Sequence, residues 1–420
     1  MEKTIKSIYR NKNLDFFEKE ESIIFYGFSK WILEEAKKKG INRLYFLSRD
    51  GYIPYKVCEI LKEKYKYNID LRYLYTSRIS SRIPSFYVSN RQDIINYVTI
   101  NSNKMTLHKI MGRFPGTKEE KNKIIEISNL SVFQNKILTV SEISKIREEL
   151  SKNEYFFEII NKNCKQKYDV FSKYLIQEGF LDRVSIGIVD SGWSGSTQIC
   201  FEKVLNSLQR KDRIYGLYFG MYCSPKAIKG FYSNYYFNGN NHLFRKLKFN
   251  NNFFETMLFA PNPMTIDYKI HGDRVEPIFD IEDEEYHLKE IEKILSSINK
   301  LTRINHFGDK RLFRYVKKSL SNLMWKPSKN LLNYYNKILF SDDVTRNESQ
   351  NIIVKLNKEE LKQLTLFRRV KNKLSGKNNC EKIYFFPIGS IYYSDIKHKW
   401  FYKLNVFLYD FLREIKNRMF

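Results

Sequence analysis

Alternation constrains this chain more than any single motif does. Short apolar runs, each closed by a tight polar turn, take turns with amphipathic helical segments. Over residues 21–39, Ile23, Ile24, Phe28, Trp31, Ile32 and Ala36 recur at helical spacing, and Gly40 ends the element. Arg43-Leu-Tyr-Phe-Leu47 is a buried-strand pattern between Gly40 and Gly51, and Pro54–Lys64 reads as the next helix. Asp70–Thr76 predicts a second strand, ending in Ser77-Arg78. Val184–Val189 predicts a third, which delivers Asp190 and a glycine loop before a helix over Gln198–Leu208; Ile214–Tyr222 predicts a fourth. Helix, strand, tight loop, helix is the order of an α/β fold, a mainly parallel sheet flanked by helices.

Two stretches depart from that order. Between Gln92 and Gln177 the pattern is mainly helical, a helical insertion in a core spanning residues 20–280. From 281 to 420 the chain becomes basic and mainly helical, with Glu282–Met324 charged throughout. The last sixty residues hold 13 Lys and Arg against 4 Asp and Glu. Trp400–Phe420 predicts an amphipathic basic helix with Trp400, Phe401, Leu404, Phe407, Leu408 and Phe411 on or near one face.

Across the chain, 73 Lys and Arg oppose 47 Asp and Glu, a formal net charge of +26. Such a surplus points to polyanionic company: nucleic acid, anionic lipid or phosphorylated substrates. No stretch approaches the ~20 apolar residues of a membrane span. Residues 1–20 lack the apolar core of a signal peptide, so a cytoplasmic chain is expected. Cys58, Cys164, Cys200, Cys223 and Cys380 stand far apart without a CxxC pair, which predicts reduced thiols rather than a disulfide frame or structural zinc. The six histidines are equally dispersed.

The strongest chemical signal is Ile186-Gly-Ile-Val-Asp190-Ser-Gly192-Trp-Ser-Gly195-Ser-Thr197-Gln198. An acid at a strand tip, two glycines and four hydroxyls before a helix suit a phosphate, which exposed amides and hydroxyls can hold. The bland alternative is an ordinary glycine turn with a Ser or Thr cap. A second signal, Phe46-Leu-Ser48-Arg49-Asp50-Gly51, offers a guanidinium fork for phosphate and a carboxylate as base or metal ligand; its alternative is an Arg-Asp pair capping the next helix. Arg78 would add another phosphate donor, or lie on the surface. Glu255, a lone acid in Phe253-Phe-Glu-Thr-Met-Leu-Phe-Ala-Pro261, is either a tuned general base or a solvent-facing residue of an amphipathic helix. No GxxxxGK[ST], GxGxxG, DxD or DxDx[TV] motif occurs.

At these residues the sequence resembles the glycan-specific phosphoribosyltransferase domain of bacterial ribofuranosyltransferases, a domain often fused to a haloacid dehalogenase-like phosphatase in polysaccharide biosynthesis clusters. The resemblance is carried by Tyr26-Gly27 with Trp31, FLSRDG at 46–51, YTSR at 75–78 and VDSGWSGSTQ at 189–198, with a weaker match at FFETMLFAPNP 253–263. It spans about residues 20–270 and only the transferase half. It implies transfer of a 5-phosphoribosyl group from phosphoribosyl pyrophosphate to a surface glycan, lipid-linked in some settings, with a separate phosphatase acting afterwards or a product that keeps its phosphate. Ordinary phosphoribosyltransferases place two adjacent acids before the loop, whereas Asp190 stands alone here.

In that reading Ser191, Gly192, Trp193, Ser194, Gly195, Ser196 and Thr197 cradle the 5-phosphate, with Ser48 and Gly51 lining the donor site. Asp190 holds ribose hydroxyls or Mg²⁺, and Arg49 and Arg78 neutralise the leaving pyrophosphate. Asp50, or secondarily Glu255, takes the acceptor proton. Mg²⁺ is the expected cofactor, and no nicotinamide, flavin or zinc is expected. The basic aromatic tail suggests peripheral contact with an anionic membrane surface, against a soluble charged helical domain as the alternative. Two rival classes are a haloacid dehalogenase-like phosphatase, which the missing DxD disfavours, and a nucleic-acid-binding protein, for which no RNP, zinc-finger or helix-turn-helix signature is present.

Overall fold

The computed structural model describes residues 11, 13–102, 104–239, 241–280, 287–303, 308–341, 349–374 and 384–419. Cys380 and the first residues of the charged segment from Glu282 lie outside them. A π-helical turn (Phe17–Glu21) leads into α1 (Ser22–Lys38), β1 (Arg43–Leu47), α2 (Tyr52–Tyr65) and β2 (Asp70–Leu74). The helical stretch comprises α3 (Arg78–Phe86), α4 (Arg91–Val98), α5 (Leu107–Gly112), α6 (Lys118–Ile127), α7 (Val140–Lys152) and α8 (Glu154–Gln177). Then follow β3 (Ile186–Trp193), α9 (Ser196–Ser207), β4 (Tyr215–Met221), β5 (Tyr232–Phe237), α10 (Leu243–Leu247) and α11 (Asn251–Glu255). A hairpin, β6 (Thr265–His271) and β7 (Arg274–Phe279), precedes α12 (Leu288–Thr302), α13 (Asp309–Trp325) and α14 (Lys329–Tyr335). Two short strands, β8 (Leu339–Phe340) and β9 (Gln350–Asn351), precede α15 (Lys358–Gln363), α16 (Leu366–Leu374), α17 (Pro387–Tyr393) and α18 (Lys399–Met419).

The first five strands form one parallel sheet in the order β2-β1-β3-β4-β5. β1 reads as an unbroken apolar run because both of its faces are covered. Leu44 and Phe46 join a core with Val189, Leu217 and Phe219 under α1 and α2. Tyr45 and Leu47 point the other way, into a core with Ile186, Ile188, Phe171 of α8 and Phe201 of α9. From β1 the chain steps outward to β2, then returns on β1's other side as β3. The helices that follow β1 and β3 therefore cover opposite faces, and a crevice opens between their carboxyl ends, where doubly wound sheets hold ligands.

The helical stretch packs round a cluster of its own, including Val98, Phe114, Ile124, Ile146, Leu150 and Phe156. The second half of α8 leaves that cluster to cover the sheet through Phe171, Tyr174 and Leu175. At the other end of the chain, Ile291, Ile294 and Ile298 of α12 and Val316, Leu320 and Leu323 of α13 pack into the same core as α1 and α2. Gly27 permits this approach: a Cβ there would lie 2.6 Å from both Tyr235 Oη and Val316 Cγ2. The antiparallel β6–β7 hairpin and the edge strand β5 have no counterpart in the expected order. The β5 sequence Tyr232-Ser-Asn-Tyr-Tyr-Phe237 carries too little apolar patterning to announce itself. No helix among the described residues is long and apolar enough to cross a membrane.

Candidate active site

The turns after β1, β2 and β3 open into one cleft of ≈ 630 Å³. Ser48, Arg49, Asp50, Arg78, Asp190, Ser191, Gly192, Trp193, Ser194, Ser196, Thr197 and Glu255 all line it. Gly51 and Gly195 do not; both are buried behind the lining.

Ser48 stitches the first two turns together: its hydroxyl donates to Thr76 O at 2.8 Å and accepts from Thr76 N at 3.0 Å. The Ser48–Arg49 peptide is cis. Asp50 does not cap the next helix, whose N-cap, Gly51, makes no side-chain cap bond. Its Oδ2 instead accepts a hydrogen bond from Ser191 Oγ at the end of the neighbouring strand. Ser77 is the capping residue of the set, forming a reciprocal box with Ser80 at the start of α3. That box presents Arg78, 56 % exposed, with Nη2 3.6 Å from Glu255 Oε2.

The expected glycine loop is shorter than its sequence suggests. β3 does not stop at Val189 but continues to Trp193, pairing Gly192 with Gly220 and Trp193 with Met221 on β4. Gly192 is thus a strand residue at φ +111°, and a Cβ there would sit 2.4 Å from Gly220 O. The turn shrinks to Ser194 and Gly195. Ser191 lines the cleft as well, and its hydroxyl donates to Asp50, tying the first turn to β3. Gly195 opens α9 in a left-handed conformation without a side-chain cap, so the first turn of a twelve-residue helix faces the cleft with Ser194, Ser196 and Thr197 around it. Uncapped amides and the positive end of a helix dipole are the features that favour an anion at a helix start.

Glu255 ends α11 and is not the solvent-facing residue that periodicity allowed. Its side chain is 17 % exposed, and Trp193 Nε1 donates to its Oε1 at 2.7 Å. Burial pushes its carboxyl up to about 7; Arg78, the Trp193 bond and Arg49 restrain the rise, while the charge on Asp50 adds to it. Asp190 is pushed further, to about 8, first by burial and then by the charge on Asp50, with Arg78 opposing. Near neutral pH the cleft therefore holds one largely protonated carboxyl beside another poised near half-ionisation, a pattern characteristic of functional sites.

Part of the wall comes from the C-terminal region, far along the chain from the three turns. His287, Lys337, Phe340, Ser341 and Ser349 all line the cleft. His287 Nδ1 lies 2.9 Å from Tyr334 Oη, and its ring packs on Phe259 with centroids 4.7 Å apart. Lys337 adds a third cation to Arg49 and Arg78. No local motif surrounds these residues, and only their spatial position marks them.

Among the described residues, no three His, Cys, Asp or Glu side chains converge as a metal cage. Magnesium carried in with a phosphorylated ligand needs only one or two protein carboxylates. Asp190 and Asp50 fit that role, because the like-charge strain that lifts Asp190 is what a divalent cation relieves. The chain matches no protein-family model and no curated protein.

Proposed function

We propose that this chain is a glycosyltransferase that moves a 5-phosphoribosyl group from phosphoribosyl pyrophosphate to a hydroxyl of a surface glycan. One observation carries the reading: two turns 141 residues apart, tied by the Ser191–Asp50 hydrogen bond, form one cleft with an uncapped helix N-terminus, three cations and carboxyls pushed to about 7 and about 8. Phosphates need the helix end and the cations; the acceptor hydroxyl needs a base that is unprotonated near neutrality.

The 5-phosphate sits against Ser194, Ser196, Thr197 and the first turn of α9. Arg49, Arg78 and Lys337 face the pyrophosphate. Asp190 faces a ribose hydroxyl and donates to it while no metal is bound and its carboxyl is protonated. The bond from the anomeric carbon to the pyrophosphate oxygen breaks, the acceptor oxygen bonds to that carbon, and its proton passes to Glu255. Glu255 suits the base role better than Asp50, whose Oδ2 already accepts from Ser191. Trp193 and Arg78 hold the Glu255 carboxylate in place. When bound, Mg²⁺ supplies further neutralisation of the pyrophosphate charge at Asp190 and Asp50.

Purified protein incubated with donor, Mg²⁺ and a panel of glycan acceptors should release pyrophosphate only when acceptor is present, and E255Q should slow the release about 100-fold or more. Inorganic phosphate released from simple phosphate esters instead would favour a phosphatase. No pyrophosphate across a broad acceptor panel would count against transfer.

A further inference from the structure

The C-terminal helix sits on the body with its apolar stripe turned outward. Val406 and Glu414 of α18 are buried, while Trp400 is 65 %, Phe401 43 %, Leu404 45 %, Leu408 37 % and Leu412 49 % exposed. At 100° per residue these five span an arc of about 120°, the width of a face that normally packs into a core. The neighbouring α16 repeats the arrangement, with Phe367 79 %, Val370 38 % and Leu374 83 % exposed at i, i+3 and i+7. The two helices lie side by side: Leu366 N donates to Asn405 Oδ1 at 2.9 Å, and the Arg369 guanidinium covers the Tyr409 ring at 4.0 Å.

The charges sort by face. Arg368, Lys371 and Lys373 of α16 and Lys416 of α18 are exposed. The acids of α18 are engaged within the molecule: Glu414 pairs with the buried Lys246 at 2.6 Å, and Asp410 pairs with Arg413 at 3.3 Å. α16 has no acid at all. Monomeric proteins seldom present so many large apolar side chains together without a partner for them.

We propose that α16 and α18 form a membrane-docking face that lies in the plane of an anionic bilayer, the apolar side chains entering the headgroup boundary and the lysines and arginines contacting lipid phosphates. Charge complementarity selects this occupant. A symmetric second copy would oppose one basic rim to another, whereas an anionic surface satisfies both the stripe and its rim. Glu414, buried against Lys246, and Asp410, neutralised by Arg413 one turn along the helix, would otherwise weaken that attraction. The inference stands apart from the transferase reading, because it uses no residue of the cleft.

The test is co-sedimentation of the full chain with phosphatidylcholine vesicles, with and without phosphatidylglycerol. We expect binding that requires the anionic lipid and falls at high salt. L404S/L408S should weaken it about tenfold or more, since each lost apolar side chain and its contact with the boundary count directly. These positions are exposed, so the melting temperature should stay unchanged, which separates lost docking from lost folding. As a second readout, brominated lipid should quench wild-type tryptophan fluorescence, and W400F should remove that quenching. Binding that ignores lipid charge, vesicle binding unchanged in L404S/L408S, or a stable dimer abolished by L404S/L408S without any vesicle binding would each overturn the proposal.

Discussion

The Trp193 indole donates a hydrogen bond to Glu255 Oε1 at 2.7 Å, and so joins the last residue of a central strand to the last residue of a short helix 62 positions later. This bond favours the ionised carboxylate against the burial that disfavours it. Trp193 also packs edge-on against Phe254, with ring centroids 5.9 Å apart, so the indole is held by apolar neighbours while its nitrogen reaches the cleft.

Trp193→Phe keeps most of that packing and removes the donor. The carboxyl of Glu255 should then rise further above its present value of about 7. A hydrogen bond to a charged group contributes roughly 1.5–3 kcal/mol, so the acid limb of the pH–rate profile should move to higher pH by about one unit or more. A profile of pyrophosphate release unchanged in W193F would show that Glu255 is not the titrating base.

Glu255→Gln should lower transfer by about 100-fold or more, the usual scale for a general base. It should also change stability with a definite sign. The folded-state value of about 7 lies above the ordinary 4.5, so the protonated form favours folding; that contribution is complete below pH 4.5 and is lost as pH rises through 7. Wild type should therefore lose up to about 3 kcal/mol across this window that E255Q does not lose. Thermal melts at pH 5 and pH 8 measure the difference.

Asp50→Asn removes the like charge that is the second cause of the Asp190 shift. In metal-free buffer the Asp190 carboxyl should titrate clearly below about 8 in D50N, as followed by carbon-13 NMR of labelled aspartate. An unmoved titration would mean that burial acts alone and that the two carboxyls do not share the cleft electrostatically.

Gly192→Ala places a methyl 2.4 Å from Gly220 O in a backbone conformation that L side chains rarely adopt. The cost should be about 2–4 kcal/mol, because β3 and β4 must part or the strand must re-aim its tip. Denaturant unfolding reads this directly. Near-wild-type stability would mean that the end of β3 is looser than its pairing with β4 indicates.

Much of this protein is legible one window at a time. The apolar runs at 43–47, 70–76 and 214–222, and the helical periodicity of 21–39, depend on neighbours within a turn or a pleat, and each becomes the expected element within a few residues. The failures are equally local in cause. β3 outruns its apolar stretch because pairing with Gly220 and Met221 carries the polar Ser191 and Gly192 into the sheet. β5 hides because its tyrosines and asparagine break the alternation that a strand usually shows.

Composition and periodicity by themselves determined an α/β chain with acids at its strand tips, a helical insertion and a basic amphipathic end. Tertiary structure decided which distant residues meet. Sheet order brings Asp50 to Ser191, the end of α11 brings Glu255 to Trp193, and the C-terminal region brings Lys337 to the same cleft. It also decided the outward turn of the stripe on α18, since periodicity identifies two faces of a helix without saying which one the body will cover. The physical reason is range. Backbone preference and side-chain spacing act over a few residues, whereas burial, charge proximity and carboxyl ionisation depend on atoms that the chain supplies from a hundred positions away.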